Sequence, residues 1–197
     1  VDKPNGIQNT SVIPTFIQEK NFDTGSQAID ANLIQNGDFS ADEPLTNWQV
    51  DFWGGKADVK VTNGVVRFDI KKAGKESWNL QFKQKLSLRE GITYIFSMRA
   101  KADKPRTLNV NIKRDSEEYT PYANGRILDL STSWQSFSWR FTMKEDSDPD
   151  ALLIYDMGGV PISWELSDIS LVQARSVEDR LNRTFQRNVQ KNSGYFN

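Results

Sequence analysis

The sequence predicts an all-β domain, an antiparallel β-sandwich of jelly-roll form. Three observations lead there. Short stretches between residues 32 and 173 alternate apolar and polar side chains at period two. Turn signals separate them: Asn63-Gly64, Gly74, Gly91, Lys104-Pro105, Asn124-Gly125, Asp148-Pro149 and Gly158-Gly159. Strand follows strand with no helical period between, which is what two packed antiparallel sheets require.

Taken in chain order, residues 1–31 are polar and irregular apart from "SVIPTFI", where Pro14 permits only an edge strand or extended segment. They read as a linker or extended tail. In "WQVDFW", Trp48, Val50 and Phe52 share one face, expected inward, while Gln49, Asp51 and Trp53 share the other. "GVVRFDIK" turns Val66, Phe68 and Ile70 inward, and "NLQFKQKLSL" does so with Leu80, Phe82, Leu86 and Leu88. "GITYIFSMRAKA" buries Ile92, Tyr94, Phe96 and Met98; "TLNVNIKRD" buries Leu108, Val110 and Ile112. "QSFSWRFTM" presents Phe137, Trp139, Phe141 and Met143, and "ALLIYDMGG" and "ISWELSDISLVQ", with Trp164 inward, close the series. The domain therefore spans 32–173. In 174–197, Val177, Leu181, Phe185 and Val189 recur every four residues behind Glu178 and Asp179, the pattern of a short amphipathic helix or helical linker.

Composition excludes much chemistry. The chain of 197 residues has no cysteine and no histidine, so thiolate metal sites, disulfides, Ser-His-Asp triads and histidine-based zinc sites are all ruled out. A formal net charge of −1 without a basic stripe argues against nucleic acid. No apolar run is long enough to span a membrane. "DSDPD" (Asp146, Asp148, Asp150) starts like an EF-hand loop, but Ala151 and Met157 stand where Gly and Glu are needed. No phosphate-binding or dinucleotide fingerprint occurs. The 26 acids provide no recognisable pair of catalytic carboxylates, and solvated surface charge is the simpler reading.

The aromatics remain: 6 Trp, 5 Tyr and 11 Phe. Trp139, Trp164 and Trp48 fall on core parity, and Trp134 reads as packing. Trp53 points away from the core beside Gly54-Gly55, Trp78 sits where a turn enters a strand, and Tyr119 and Tyr122 lie in the loop "EEYTPYANG". Exposed flat rings beside amides and guanidinium groups suit a sugar, whose C–H faces stack and whose hydroxyl rim hydrogen-bonds. The alternative is that these rings cap the ends of the sandwich.

In order, "NLIQNGDFS", "NWQVDFWGG", "VTNGVVRFDI", "ESWNLQFKQ", "LREGITYIFSMRAKAD", "STSWQSFSWRFTM" and "ELSDISLVQ" resemble the carbohydrate-binding modules of families 4, 9, 16 and 22. The resemblance implies a non-catalytic jelly roll that binds one glycan chain in a cleft across its concave sheet. It places Trp78 and Gln81 in the cleft, with a second aromatic at Tyr119 or Tyr122, polar contacts from Arg67, Asn111 and Tyr155, and Trp53 as a second-rank candidate. It also implies a structural calcium held through Asp38 and Asp168, with Ser40 standing where the group usually has Glu.

The function so implied is binding of a β-linked plant polysaccharide, with xylan favoured and mixed-linkage or β-1,4-glucan and mannan next. The parent would be a secreted or cell-surface bacterial glycoside hydrolase whose attached catalytic domain the module targets, and the module itself would be a monomer. The rivals are a carboxylate-based jelly-roll enzyme and a protein-interaction domain with no glycan affinity.

Overall fold

The computed structural model describes residues 31–116 and 120–174. The N-terminal tail and the C-terminal segment expected to be helical, apart from their innermost residues, lie outside the described residues, as does Tyr119.

Ten strands form: β1 (Gln49–Phe52), β2 (Lys56–Thr62), β3 (Val65–Lys72), β4 (Leu80–Leu88), β5 (Thr93–Ala102), β6 (Arg106–Lys113), β7 (Arg126–Leu130), β8 (Gln135–Thr142), β9 (Asp148–Asp156) and β10 (Trp164–Gln173). They make two five-stranded antiparallel sheets, β1-β4-β9-β6-β7 and β2-β3-β10-β5-β8. This is the sandwich that the alternation demands, because each sheet has one apolar face to cover.

The core lies between the sheets and is joined by aromatic contacts. Trp48 stacks on Phe82 at 4.3 Å, Phe82 meets Phe68 of the opposite sheet edge-on at 4.9 Å, and Phe68 stacks on Trp164 at 4.6 Å. Each such ring buries roughly 150–250 Å², about 4–6 kcal/mol gross before entropy is subtracted. Two polar side chains, the buried Gln84 and the exposed Asn32, tie the entry segment down. Gln84 exchanges two hydrogen bonds of 2.8 Å with the Gln35 backbone, and Asn32 accepts from Leu171 N at 2.9 Å.

The inward parity expected in β3, β4, β5, β6 and β10 holds. In β8 the inward aromatics are only half-buried, since this is an edge strand with one neighbour. Phe52 departs further: expected inward, it is 47% exposed. It ends a four-residue edge strand, at a corner of the sandwich where one neighbour is missing. Trp134 is half-buried, with Arg99 and Lys101 each 5.3 Å from its ring centroid.

Candidate functional site

Residues directly opposite across antiparallel strands share a face. On the outer face of the first sheet one row reads Asp51, Gln81, Asp156, Asn109, Ile127, from β1 across to β7. The next reads Gln49, Lys83, Ile154, Asn111, and the third Lys85, Leu152, Lys113. Ile154 and Leu152 point away from the core yet are only 4% and 5% exposed. They form an apolar floor on the central strand between ridges of longer polar side chains, whose stems cover them. Five strands at about 4.8 Å spacing give a path roughly 19 Å across, the length of a short oligosaccharide.

The polar groups of this face are already ordered. Gln81 Nε2 donates to Asp156 Oδ1 at 2.8 Å, and Asn111 Nδ2 donates to Asp156 Oδ2 at 3.4 Å. Burial raises the Asp156 carboxyl above its ordinary range, against the opposing pull of Gln81 and Lys113. Lys83 pairs with Asp51 at 2.6 Å, and Gln49 donates to the same carboxylate at 2.7 Å. A hollow of ≈ 290 Å³ lies along Gln49, Lys83, Lys85 and Leu152.

At one end of the first row two tryptophans stand in the open. Trp53, just past β1, is 59% exposed, and Trp78 is 52% exposed. Their segments are joined, because Trp53 N donates to Asn79 O at 2.9 Å. Trp78 sits in the 3₁₀ turn Ser77–Asn79, closed by a capping box between Glu76 and Asn79. The buried Asn79 accepts from Lys75 N and Glu76 N at 2.8 and 2.9 Å. Gly158 N donates to Ser77 O at 2.7 Å, and Asn109 of the face itself donates to Ser77 Oγ at 3.2 Å. Two glycines make this packing possible. A Cβ on Gly74 (φ +79°) would lie 2.4 Å from Asn79 Cβ, and one on Gly158 would lie 2.5 Å from Glu76 O. Trp78 also walls a cavity of ≈ 730 Å³ shared with Gly54, Ala73, Gly74, Gly159 and Pro161. The 157–162 loop beside it is held by Arg106, whose guanidinium donates to the Met157 and Ile162 carbonyls at 2.9 and 2.6 Å. Burial pulls Arg106 down to about 10.

The structure thus brings together Trp53, Trp78, Gln81 and Asn111, and it separates three other candidates from them. Arg67 lies on β3, in the other sheet, and its guanidinium is committed to Asp69, Asp103 and Glu165 at 2.8–3.1 Å. Residues on β3 and β4 fall in different sheets, which strand parity alone does not reveal. Tyr155 shares the strand of Ile154 but has the opposite parity: it is fully buried among Trp48, Phe82 and Trp164. Tyr122 packs into the end of the core, its hydroxyl donating to Asp148 Oδ2 at 2.6 Å and accepting from Arg114 Nε at 3.0 Å. Sequence reasoning missed Asp156, Asn109, Asn79 and Arg106. The apolar run "ALLIY", which does not alternate, is the signal that β9 is covered on both faces.

Asp38, Ser40 and Asp168 lie near one backbone link, Ile169 N to Gly37 O at 2.9 Å. Ser40 donates to Asp38 through both hydroxyl and backbone, which lowers the Asp38 carboxyl. Asp168, in a bulge of β10 at φ +53°, accepts from Ser167 Oγ and pairs with Arg99 at 3.3 Å. Calcium takes six to eight oxygens, which carboxylates, backbone carbonyls and waters can share. Among the described residues no group of three His, Cys, Asp or Glu side chains is assembled, and Asp168 pairs with Arg99. A calcium held here would take most of its shell from backbone and water oxygens.

The profile of the family described as "Carbohydrate binding domain" matches residues 31–160. The chain belongs to this carbohydrate-binding family. Among solved structures, a CBM4 module is 26% identical, covers 72% of this chain and 99% of its own, and superposes with a TM-score of 0.66. The second N-terminal cellulose-binding domain of Cellulomonas fimi β-1,4-glucanase C is 17% identical, covering 75% and 97%, with a TM-score of 0.59. A CBM22 xylan-binding domain from Paenibacillus barcinonensis is 13% identical, covering 75% and 97%, with a TM-score of 0.51. At those two identities the likeness is one of fold. No curated protein matches the chain. Among the described residues no helix is long and apolar enough to cross a membrane.

Proposed function

We propose that this carbohydrate-binding domain holds a single β-linked plant polysaccharide chain, xylan by preference, along the outer face of the β1-β4-β9-β6-β7 sheet. It would thereby target an attached glycoside hydrolase of a secreted or cell-surface protein. The observation that carries the reading is the pair Trp53 and Trp78, open to solvent on hydrogen-bonded neighbouring segments at the end of an amide-lined face. A pyranose face covering about 60 Å² of indole contributes about 1.5 kcal/mol at ~25 cal/mol/Å². Gln81, Asn111 and Asn109 stand along the path of the sugar rim. Targeting then works by effective concentration, with no chemistry by the module.

The carboxylates of the first row are already engaged, which disfavours a catalytic role: Asp51 is paired with Lys83, and Asp156 accepts from Gln81 and Asn111. The test is isothermal titration of the full chain with xylohexaose, cellohexaose and mannohexaose, repeated with Trp53→Ala, Trp78→Ala and the double variant. Binding of xylohexaose that weakens about tenfold per tryptophan, as 1.4 kcal/mol implies, is expected. Preference for cello- or manno-oligosaccharide would reassign the ligand. Sugar release by the chain alone would overturn the non-catalytic reading.

A further inference from the structure

Asp156 occupies the middle of the first row, on the central strand, half-buried and, among the described residues, with no cation in salt-bridge contact. A carboxylate offers about four acceptor positions. Gln81 takes one from the β4 side and Asn111 one from the β6 side. Those two bonds fix the carboxylate plane and both amides. The part of Asp156 still open to solvent faces the path a glycan would follow. Resting on the binding reading above, we propose that the Asp156 carboxylate is the central hydroxyl acceptor of the face, and that the glycan is held only while it is ionised.

Hydrogen bonds to an ionised acceptor are about twice as strong as neutral ones. Once protonated, Asp156 turns one position into a donor and becomes a weaker acceptor for both amides and a sugar hydroxyl. The charged group that acts on it is Lys113 on β6; the same outer face also carries Lys83 on β4 with its partner Asp51 on β1, Lys85 on β4 with Asp150 on β9, and Asp129 on β7. Burial outweighs Lys113 and leaves the proton more tightly held than on a free aspartate.

The signs of binding and stability then oppose each other. Because its native proton affinity is raised, Asp156 makes the fold more stable as pH falls through its native range toward the unfolded value. Glycan affinity should fall over the same window. A residue with a merely structural role would move both together.

The experiment is glycan titration of the full chain between pH 4 and pH 7, using the best hexasaccharide from the panel, with circular dichroism and melting at each pH. Asp156→Asn and Trp78→Ala are run alongside. Wild type should bind at least fivefold more weakly at pH 4 than at pH 7 without loss of Tm. Asp156→Asn should bind at least tenfold more weakly at pH 7, show a flat pH profile and melt no lower than wild type. Wild-type binding that Trp78→Ala weakens, but that is flat with pH and unchanged in Asp156→Asn, overturns this inference and leaves the binding reading standing. No glycan binding by wild type at pH 7 overturns both.

Discussion

Tyr155 buries its hydroxyl in the core with no hydrogen-bond partner among the described residues, and that burial pushes its pKa well up. Removing an unsatisfied hydroxyl relieves a desolvation penalty. Tyr155→Phe should therefore leave stability unchanged or raise it by about 1 kcal/mol in urea unfolding, with glycan affinity intact; a tenfold loss of affinity would return Tyr155 to the cleft. Arg67 gives a parallel test. Its ion pairs are about a third exposed, so Arg67→Ala should cost no more than about 1 kcal/mol and leave affinity alone. Arg106 is the opposite case, a buried guanidinium whose hydrogen bonds go to backbone carbonyls. Arg106→Ala should cost about 2–4 kcal/mol, because the loop carbonyls lose their donors. None of these environments is written in the residue's own letter. Parity told inward from outward, but not which sheet would carry Arg67 or what would surround Tyr155.

The element that matters most is the short 3₁₀ turn Ser77–Asn79. In "ESWNLQ" only the tryptophan attracts notice, yet Asn79 organises the turn by accepting two backbone N–H groups and presenting its carbonyl to Trp53. Asn79→Ala should cost about 1–3 kcal/mol by orphaning those donors. It should also weaken glycan binding while Trp78 itself remains, readable by titration. Asn79→Asp keeps the acceptor and should restore most of both. Strands were the legible part of the fold, since period-two alternation in β3, β4, β5 and β6 maps directly onto two faces. The 3₁₀ turn was not, because its bonds run to Gly158 and Asn109, residues some 30 to 80 positions away that chain proximity cannot pair. In β9, "ALLIY" was readable as a strand covered on both sides, and that would have pointed to the floor formed by Ile154 and Leu152.

At the scale of the whole molecule, two sheets carry two unlike outer surfaces. One bears Arg67, Asp69, Asp103, Lys101 and Glu165 in mutually satisfied ion pairs; the other bears an apolar floor, ordered amides and a tryptophan end-piece. The fold stands on its aromatic core, and among the described residues the acids near Gly37 and Ile169 do not gather into a group of three. Melting in chelator should accordingly fall within about 1 °C of melting in millimolar calcium, whereas a rise of several degrees with calcium would show that an ion binds the native state. The most direct test of the whole account is affinity electrophoresis of the full chain through gels containing xylan, β-glucan or glucomannan, with the Trp53→Ala/Trp78→Ala double variant in the neighbouring lane. Retardation of wild type by xylan, lost in the double variant, is the predicted result; equal mobility of the two proteins in every gel would contradict it.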